Sequence, residues 1–549
     1  MKKTYILCVF IMFSCFNAQS QTTTWTGAAD TNWDNPVNWT SGIPDHTIDV
    51  IIPNPGALFN LNYPIANGPI AECSTLIIEP GGELTDNTTE IGLVVYTSLV
   101  INSDATGYGS LILNSIGGGT PISESTYNLF IDDAEWHLLG SPFTGQTINS
   151  TFISNNSIIG MKDYIENPDG WETTDYAVTA PDVAFSLGKG YVTKISSAGV
   201  VSLTGTPNNE DVDITLASDG YCWNLLSNPF TSSIAANTDG HATNNLLSIN
   251  ADVFASGYQA FYIWDANSTS YKIYNLTTMD LDYMQVGQGF FVKSKIGGGT
   301  FSITTAMQSH QTAAAFKSEE TVWAHISLLV KTDNLKASTE LYFNRDMSRG
   351  LDNGFDAGML KSGSLVLYSR LVEEDNRIDL GIQSLPTDYE NLIIPIGLDA
   401  KAGEIITFSA RALNIPEEYA VVLEDRALNV FTDLSDDGSY SIQLSENSNG
   451  TGRFFVYTSF KSATGIGDLD ADNVFQVFTR PSDNQLFIRG EVFGNSVARI
   501  YSITGKQIAV LSLQEAMENR IPFNGDVGIY IVQISNESGS YTQKFAWVK

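Results

Sequence analysis

Arginine is missing from the first half of this chain. Between Gln21 and His310 there are six lysines, no arginine and 29 acidic residues, and the first arginine is Arg345. Over all 549 residues, 28 basic residues face 61 acidic ones, a formal charge of −33. So few cations leave little with which to neutralise phosphates, which disfavours nucleic acid as a partner. The same field disfavours anionic membranes and sulfated or acidic polymers. The acids favour solubility, and they offer oxygen ligands should Ca²⁺ be bound. Cysteine is also scarce. Beyond residue 20 only Cys73 and Cys222 remain, too few for a disulfide scaffold; a bridge between them and two separate buried thiols are both open. The five histidines never fall within four residues of one another, so a zinc-protease helix is excluded. There is neither a G-x-S-x-G elbow nor a Cys/His nucleophile neighbourhood, and the expectation is a protein that is not an enzyme. Carboxylates are plentiful, and a glycosidase pair is recognised only by separation in space. After the first 20 residues no apolar run approaches the length of a membrane span.

What is present is β-rich from end to end. Lys2-Lys3, the apolar run Tyr5 to Phe13 and the small-residue site Ala18-Gln19-Ser20 read as a cleaved secretory signal over residues 1–20. Residues 21–125 open with Trp25, Trp33 and Trp39 and continue as short apolar triplets, Leu76-Ile77-Ile78, Leu93-Val94-Val95, Leu99-Val100-Ile101 and Leu111-Ile112-Leu113. Triplets at about one coil's spacing predict a short parallel β-solenoid with Cys73 and Leu76 in its interior stack. The indoles either cap the first coil or form a flat sugar-stacking platform.

An internal repeat follows. Trp136-His137-Leu138-Leu139-Gly140-Ser141-Pro142-Phe143 recurs as Trp223-Asn224-Leu225-Leu226-Ser227-Asn228-Pro229-Phe230, and Gly188-Lys189-Gly190-Tyr191-Val192 recurs as Gly287-Gln288-Gly289-Phe290-Phe291. Two tandem β-modules, 126–215 and 216–310, account for this. Each holds a hairpin with paired aromatics, Tyr164/Trp171 in the first copy and Trp264/Tyr271 in the second. These four are either cross-strand core pairs or an exposed ligand-stacking face, and they are the candidate binding residues. The G-x-G triplets lack the helix and Lys-Ser/Thr pair of a phosphate cradle and read as bulges or tight bends.

Residues 311–460 carry alternating strands that suggest a β-sandwich. Asp352 and Asp356, in Asp352-Asn353-Gly354-Phe355-Asp356-Ala357, are weak metal candidates or an Asx-stabilised turn. A connector over 461–473 places Asp468, Asp470 and Asp472 at the spacing of the first Ca²⁺-loop ligands, without the Gly and Glu such a loop needs. Residues 474–549 read as a small antiparallel sandwich of Ig-like type, with turns at Gly505, Asn524-Gly525 and Ser538-Gly539.

The last stretch carries a resemblance. Arg499-Ile500-Tyr501-Ser502-Ile503-Thr504-Gly505-Lys506, then Gly528-Ile529-Tyr530-Ile531-Val532-Gln533-Ile534, then Lys544-Phe545-Ala546-Trp547 resembles the C-terminal sorting domain of Bacteroidetes proteins exported by the type IX secretion system. Arg480-Pro481-Ser482-Asp483 stands where that family has an apolar residue and Pro-Asn-Pro. The resemblance implies sorting-signal roles for Gly505, Lys506, Gly528, Tyr530, Val532 and Lys544, the translocon and its sortase as partners, and a cell-surface or extracellular destination. The internal repeats resemble W-N-L-x-x-N-P-F and G-Q-G-F-F-V repeats of uncharacterised secreted proteins from the same bacteria. The Asp352–Asp356 stretch is similar to a loop of the module that commonly precedes the tag. The expectation is an exported, non-catalytic, adhesin-like or matrix-forming protein without a cofactor, with a polysaccharide or other extracellular surface as its partner. A polysaccharide-acting enzyme or carbohydrate-binding accessory protein is the alternative.

Overall fold

The computed structural model describes residues 21–54, 62–114, 124–164, 175–179, 182–265, 270–278, 281–311, 323–389, 392–417, 419–428, 430–435, 437–460, 476–480, 485–489, 496–502, 506–514, 518–525, 528–536 and 539–547. The 1–20 leader, Trp171, the 461–473 connector with Asp468, Asp470 and Asp472, and Gly505 lie outside them. The chain is all-β with a few short helical turns. It divides into two compact units, Met1–Ser459 and Phe460–Lys549.

The first unit begins as a solenoid. Strands β1 (Gln21–Thr24), β2 (Ile48–Ile52), β3 (Ile70–Ile78), β4 (Gly92–Asp104) and β5 (Ser125–Ile131) pair in that order, all parallel. A second parallel sheet, Ile65–Ala66, Glu83–Asp86 and Ser110–Leu113, accompanies it. The register converts the apolar triplets into ladders. Val50, Leu76 and Leu99 stack on one rung, Ile52, Ile78, Ile101 and Tyr127 on another, all fully buried. Burying each such side chain is worth about 1.5–3 kcal/mol, so the stack supplies much of the drive for coiling. The three indoles close the first coil. Trp39 packs edge-to-face on Trp25 at 4.9 Å and on Trp33 at 4.8 Å, and two of the indole N–H groups are spent internally: Trp39 Nε1 donates to Trp33 O, Trp25 Nε1 to Asn62 O, each at 2.7 Å. With every indole 5 % exposed or less, no flat face remains for a sugar. The capping alternative is the one realised.

The repeat copies follow. In the first, β6 (Trp136–Leu139), β7 (Ile158–Asp163) and β8 (Tyr191–Ile195) form a three-stranded antiparallel sheet, and β9 (Gly199–Thr204) pairs with β5, extending the solenoid sheet. In the second, β10 (Val212–Leu216) pairs with β15 (Gly299–Ile303), while β11 (Trp223–Ser227), β14 (Gly289–Lys293), β12 (Phe261–Asp265) and β13 (Ser270–Tyr274) form a four-stranded sheet in that spatial order.

From β16 (Ala324–Lys331) onward one eleven-stranded sheet serves the rest of the unit. In β16 the alternation is plain: Ile326, Leu328 and Val330 are fully buried while the residues between them are partly exposed. Phe408 and Phe454 lie on strands six places apart in this sheet, about 29 Å if it were flat. Their ring centroids are 4.7 Å apart. The sheet therefore folds over on itself, and both layers of the sandwich come from one continuous hydrogen-bonded ladder.

In the second unit, a three-stranded and a four-stranded antiparallel sheet share a core of Leu486, Ile500, Val532, Phe545 and Trp547 among others.

Cys73 and Cys222 are both buried, and no disulfide joins them. Burial, with Asp49 and Glu72 adding to it, pushes the Cys73 thiol up to about 12, so almost no thiolate is present at neutral pH. Ellman's reagent is expected to label neither thiol in the native protein and both once denaturant is added. Rapid native labelling, or missing thiols after unfolding, would contradict this structure.

Candidate functional site

The two repeat copies dock through their G-x-G triplets. Leu139 of the first copy bridges to Gln288 of the second, and Leu226 of the second bridges to Lys189 of the first. Gly140 N–H donates to Gly287 O at 2.8 Å, and Ser227 N–H donates to Gly188 O at 2.8 Å. Each contact is its counterpart with the copies exchanged, a quasi-two-fold arrangement. Glycine is needed here. Gly188 and Gly287 sit at φ +73° and +65°, and a Cβ on Gly289 would fall 2.7 Å from Leu138 Cβ. The triplets are thus places of backbone approach between copies, in addition to being tight bends.

This docking sets the Trp-bearing strands around a shared cavity of about 990 Å³, with its third wall at Leu335 to Ser338 and Met359 to Leu367 of the folded-over sheet. Phe291, 1 % exposed, anchors the aromatic lining. Tyr164 of the first copy packs edge-to-face on it at 5.0 Å, and Tyr271 of the second does so at 5.7 Å. Trp264 is the cross-strand neighbour of Tyr271, their rings 5.1 Å apart. So Tyr164 from the first copy and the Trp264/Tyr271 pair from the second line one cavity. Sequence reasoning missed Trp136, Trp223 and Tyr258, which line it too. A signal existed: Trp136 and Trp223 open the same signature in both copies.

The charged residues among the described lining are Lys162, Lys293, Lys336, Lys361 and Asp379. Strand register places Trp136 opposite Lys194 and Trp223 opposite Lys293, the same pairing in each copy. Lys162 Nζ lies 5.5 Å from the Trp136 ring centroid, and Lys293 Nζ lies 4.1 Å from that of Tyr258 and 5.4 Å from that of Trp223. Lys361 is held by Asp379 at 2.7 Å and Asp399 at 2.8 Å. Burial alone would lower its pKa; these carboxylates outweigh burial and raise it. Asp379 also accepts from Arg370 Nε at 2.6 Å. Burial raises the Tyr258 and Tyr271 phenols above their ordinary value, so both are neutral donors at physiological pH. Ring faces, hydroxyls and ammonium groups suit the holding of a ring-shaped polar ligand.

The other candidates are placed elsewhere. Asp352 accepts from Ser348 N–H at 2.7 Å and Ser348 Oγ at 3.1 Å, and Asp356 accepts from Asp352 N–H and Ser384 N–H, both at 2.7 Å. These carboxylates tie a turn together, and burial pushes Asp356 up to about 7. Asp132, Asp133 and His137 are the one group among the described residues whose ligand atoms lie within 4.8 Å of one another as a metal set would require. There His137 Nε2 already meets Asp133 at 2.8 Å. His310 sits half-buried between the Thr85 and Ser110 hydroxyls, 2.8 Å from each, and desolvation lowers it to about 4, a neutral clasp between the solenoid and the second copy.

In the second unit, Gly528, Tyr530 and Val532 lie on the strand Gly528–Asn536, with Tyr530 and Val532 buried. Lys544 is in register with Ile531 on the last strand. Lys506 is exposed, and its N–H donates to Ser502 Oγ at 3.2 Å.

Residues 24–457 match the model of a family described as "Domain of unknown function (DUF8693)". Residues 476–548 match a second model, "Secretion system C-terminal sorting domain". No curated protein matches the chain. Among solved structures, similarity is found to the CD2-binding domain of CD58 (lymphocyte function-associated antigen 3), at 11% identity over 27% of this chain and 94% of that one, TM-score 0.12. It is also found to a biofilm-associated protein BSP domain, at 8% identity over 76% of this chain and 60% of that one, TM-score 0.17. The sorting domain marks the protein as one that engages the type IX secretion machinery and is exported across the outer membrane to the cell surface or the extracellular space. No helix among the described residues is long and apolar enough to cross a membrane.

Proposed function

We propose a function from one premise: the chain belongs to the family described as "Domain of unknown function (DUF8693)", whose model spans residues 24–457. Its member here is an exported, non-catalytic, adhesin-like protein whose cavity between the repeat copies and the folded-over sheet binds a segment of an extracellular polysaccharide. The observation that carries this is convergence: Trp136, Tyr164, Trp223, Tyr258, Trp264 and Tyr271, from two copies, face one cavity. Pyranose rings present apolar C–H faces to such rings and hydroxyls to the groups between them. Glycoside hydrolysis by the common route uses two facing carboxylates. Asp379 is the one carboxylate among the described lining residues, and Arg370 and Lys361 hold it, which supports binding without cleavage. The sorting domain brings the protein to the translocon, whose sortase removes the tag and leaves the protein anchored or released.

The test is a depletion assay. The full chain is mixed with insoluble polysaccharides, with and without Ca²⁺, while newly formed reducing ends are counted. Depletion without new reducing ends is expected; their appearance would replace this reading with that of a polysaccharide-acting enzyme.

A further inference from the structure

The cavity's charge runs against that of the chain. Acidic residues outnumber basic ones 61 to 28 overall, yet the described residues that line the cavity include four lysines and one aspartate. Two of those lysines, Lys162 and Lys293, come from a stretch of 290 residues that contains only six. Both lie beside lining rings, Lys162 with Trp136 and Lys293 with Tyr258 and Trp223. Lys336 is exposed on the opposite wall. Asp379 adds no free negative charge, being shared by Arg370 and Lys361.

Resting on the polysaccharide-binding reading, we propose that the ligand is an anionic saccharide, a polymer whose pyranose rings carry carboxylate or sulfate groups. The ring face of such a sugar lies on an aromatic side chain while its acidic substituent projects from the ring edge. An ammonium beside that aromatic ring meets the substituent in a charge-assisted hydrogen bond. Each copy brings one aromatic–lysine pair to the cavity, by different routes: Trp136 with Lys162 from another strand of its sheet, and Trp223 with its cross-strand partner Lys293. Two acidic residues of one polymer are therefore read in a single cavity. The chain's net negative charge then acts as a filter: an anionic polymer is repelled over most of the surface and held only where lysines are gathered.

The experiment compares matched probes on the full chain by titration calorimetry: polygalacturonate against its fully methyl-esterified form, and a sulfated galactan against agarose. Tighter binding of the charged member by about tenfold or more is expected, weakening as salt is raised. The two pairs separate a carboxylate from a sulfate source. The double substitution Lys162→Gln and Lys293→Gln is expected to close the gap, with an unchanged thermal midpoint, whereas Lys295→Gln, exposed and outside the lining, leaves it open. Equal or tighter binding of the uncharged members would overturn the proposal while sparing polysaccharide binding. Binding of none of the four overturns both. Binding of polyglutamate as tightly as polygalacturonate would overturn the assignment to a saccharide and point to acidic peptides.

Discussion

Alanine at Trp264 is expected to weaken retention on the bound polysaccharide by about 30-fold, equivalent to about 2 kcal/mol for a buried aromatic anchor. Adding Trp136→Ala should bring binding below detection. Trp264 suits the test because it is half-buried at the end of a hairpin, leaning on Tyr271 at 5.1 Å without filling the sheet core. Trp223 suits it less: at 7 % exposure it packs against Tyr262 at 4.8 Å and Tyr258 at 5.9 Å, so its loss would damage the module as well. Affinity electrophoresis of the two variants, beside a far-UV spectrum and melting curve, separates lost binding from lost folding. Undiminished retention of a folded Trp136→Ala/Trp264→Ala protein would remove the cavity as the binding site.

The largest stability effect is expected at Asp425, which lies well away from that cavity in sequence and role. Its carboxylate, 1 % exposed, accepts from Arg453 Nε at 3.0 Å and Nη2 at 2.8 Å, and from the Tyr440 hydroxyl at 2.8 Å. It also takes the Ala427 N–H at 3.1 Å. These contacts pin the end of the strand Tyr419–Asp425 to the start of its sheet neighbour Phe454–Phe460. Asp425→Ala strands the guanidinium, a phenol and an amide, at a cost of about 3–5 kcal/mol. A fall in melting temperature of roughly 6–12 °C is the expected readout.

The pH dependence follows from the direction of the shift. Burial raises the Asp425 pKa, but the hydrogen bonds from Arg453 and Tyr440 outweigh it and hold the value below 3.8. A carboxyl depressed in the folded state contributes stability that is present above the unfolded value of about 3.9 and is lost as pH falls through the folded value. The gap between native protein and Asp425→Ala should thus stay constant from about pH 8 to 5 and close below about pH 4. A gap that widened on acidification would contradict the ion-pair account.

The solenoid was legible because its signal is local and periodic. Leu76-Ile77-Ile78 and Leu99-Val100-Ile101 recur at one coil's length, and the parallel register simply stacks them. The sorting domain was legible for a similar reason: its motifs lie on adjacent strands, and Tyr530 and Val532 turn inward as the alternation requires. The G-x-G triplets were half legible. Their lack of a following helix excluded a phosphate cradle, but nothing in one copy shows that Gly289 will abut Leu138 of the other.

By itself, then, the sequence determined the all-β class, the stacked coils, the duplicated module and the export signal at the C-terminus, because alternation, repeat spacing and turn residues act over a few positions. The tertiary structure alone decided the rest. It turned three flat-faced indoles into a sealed cap, and it set Tyr164 and Tyr271 on one phenylalanine 127 and 20 residues away from them in the chain. It also gathered lysines into a cavity on a chain whose overall charge argued against anionic partners. Side chains brought together by docking of whole modules are separated by distances over which no sequence period runs, and net charge says nothing of where individual charges are placed.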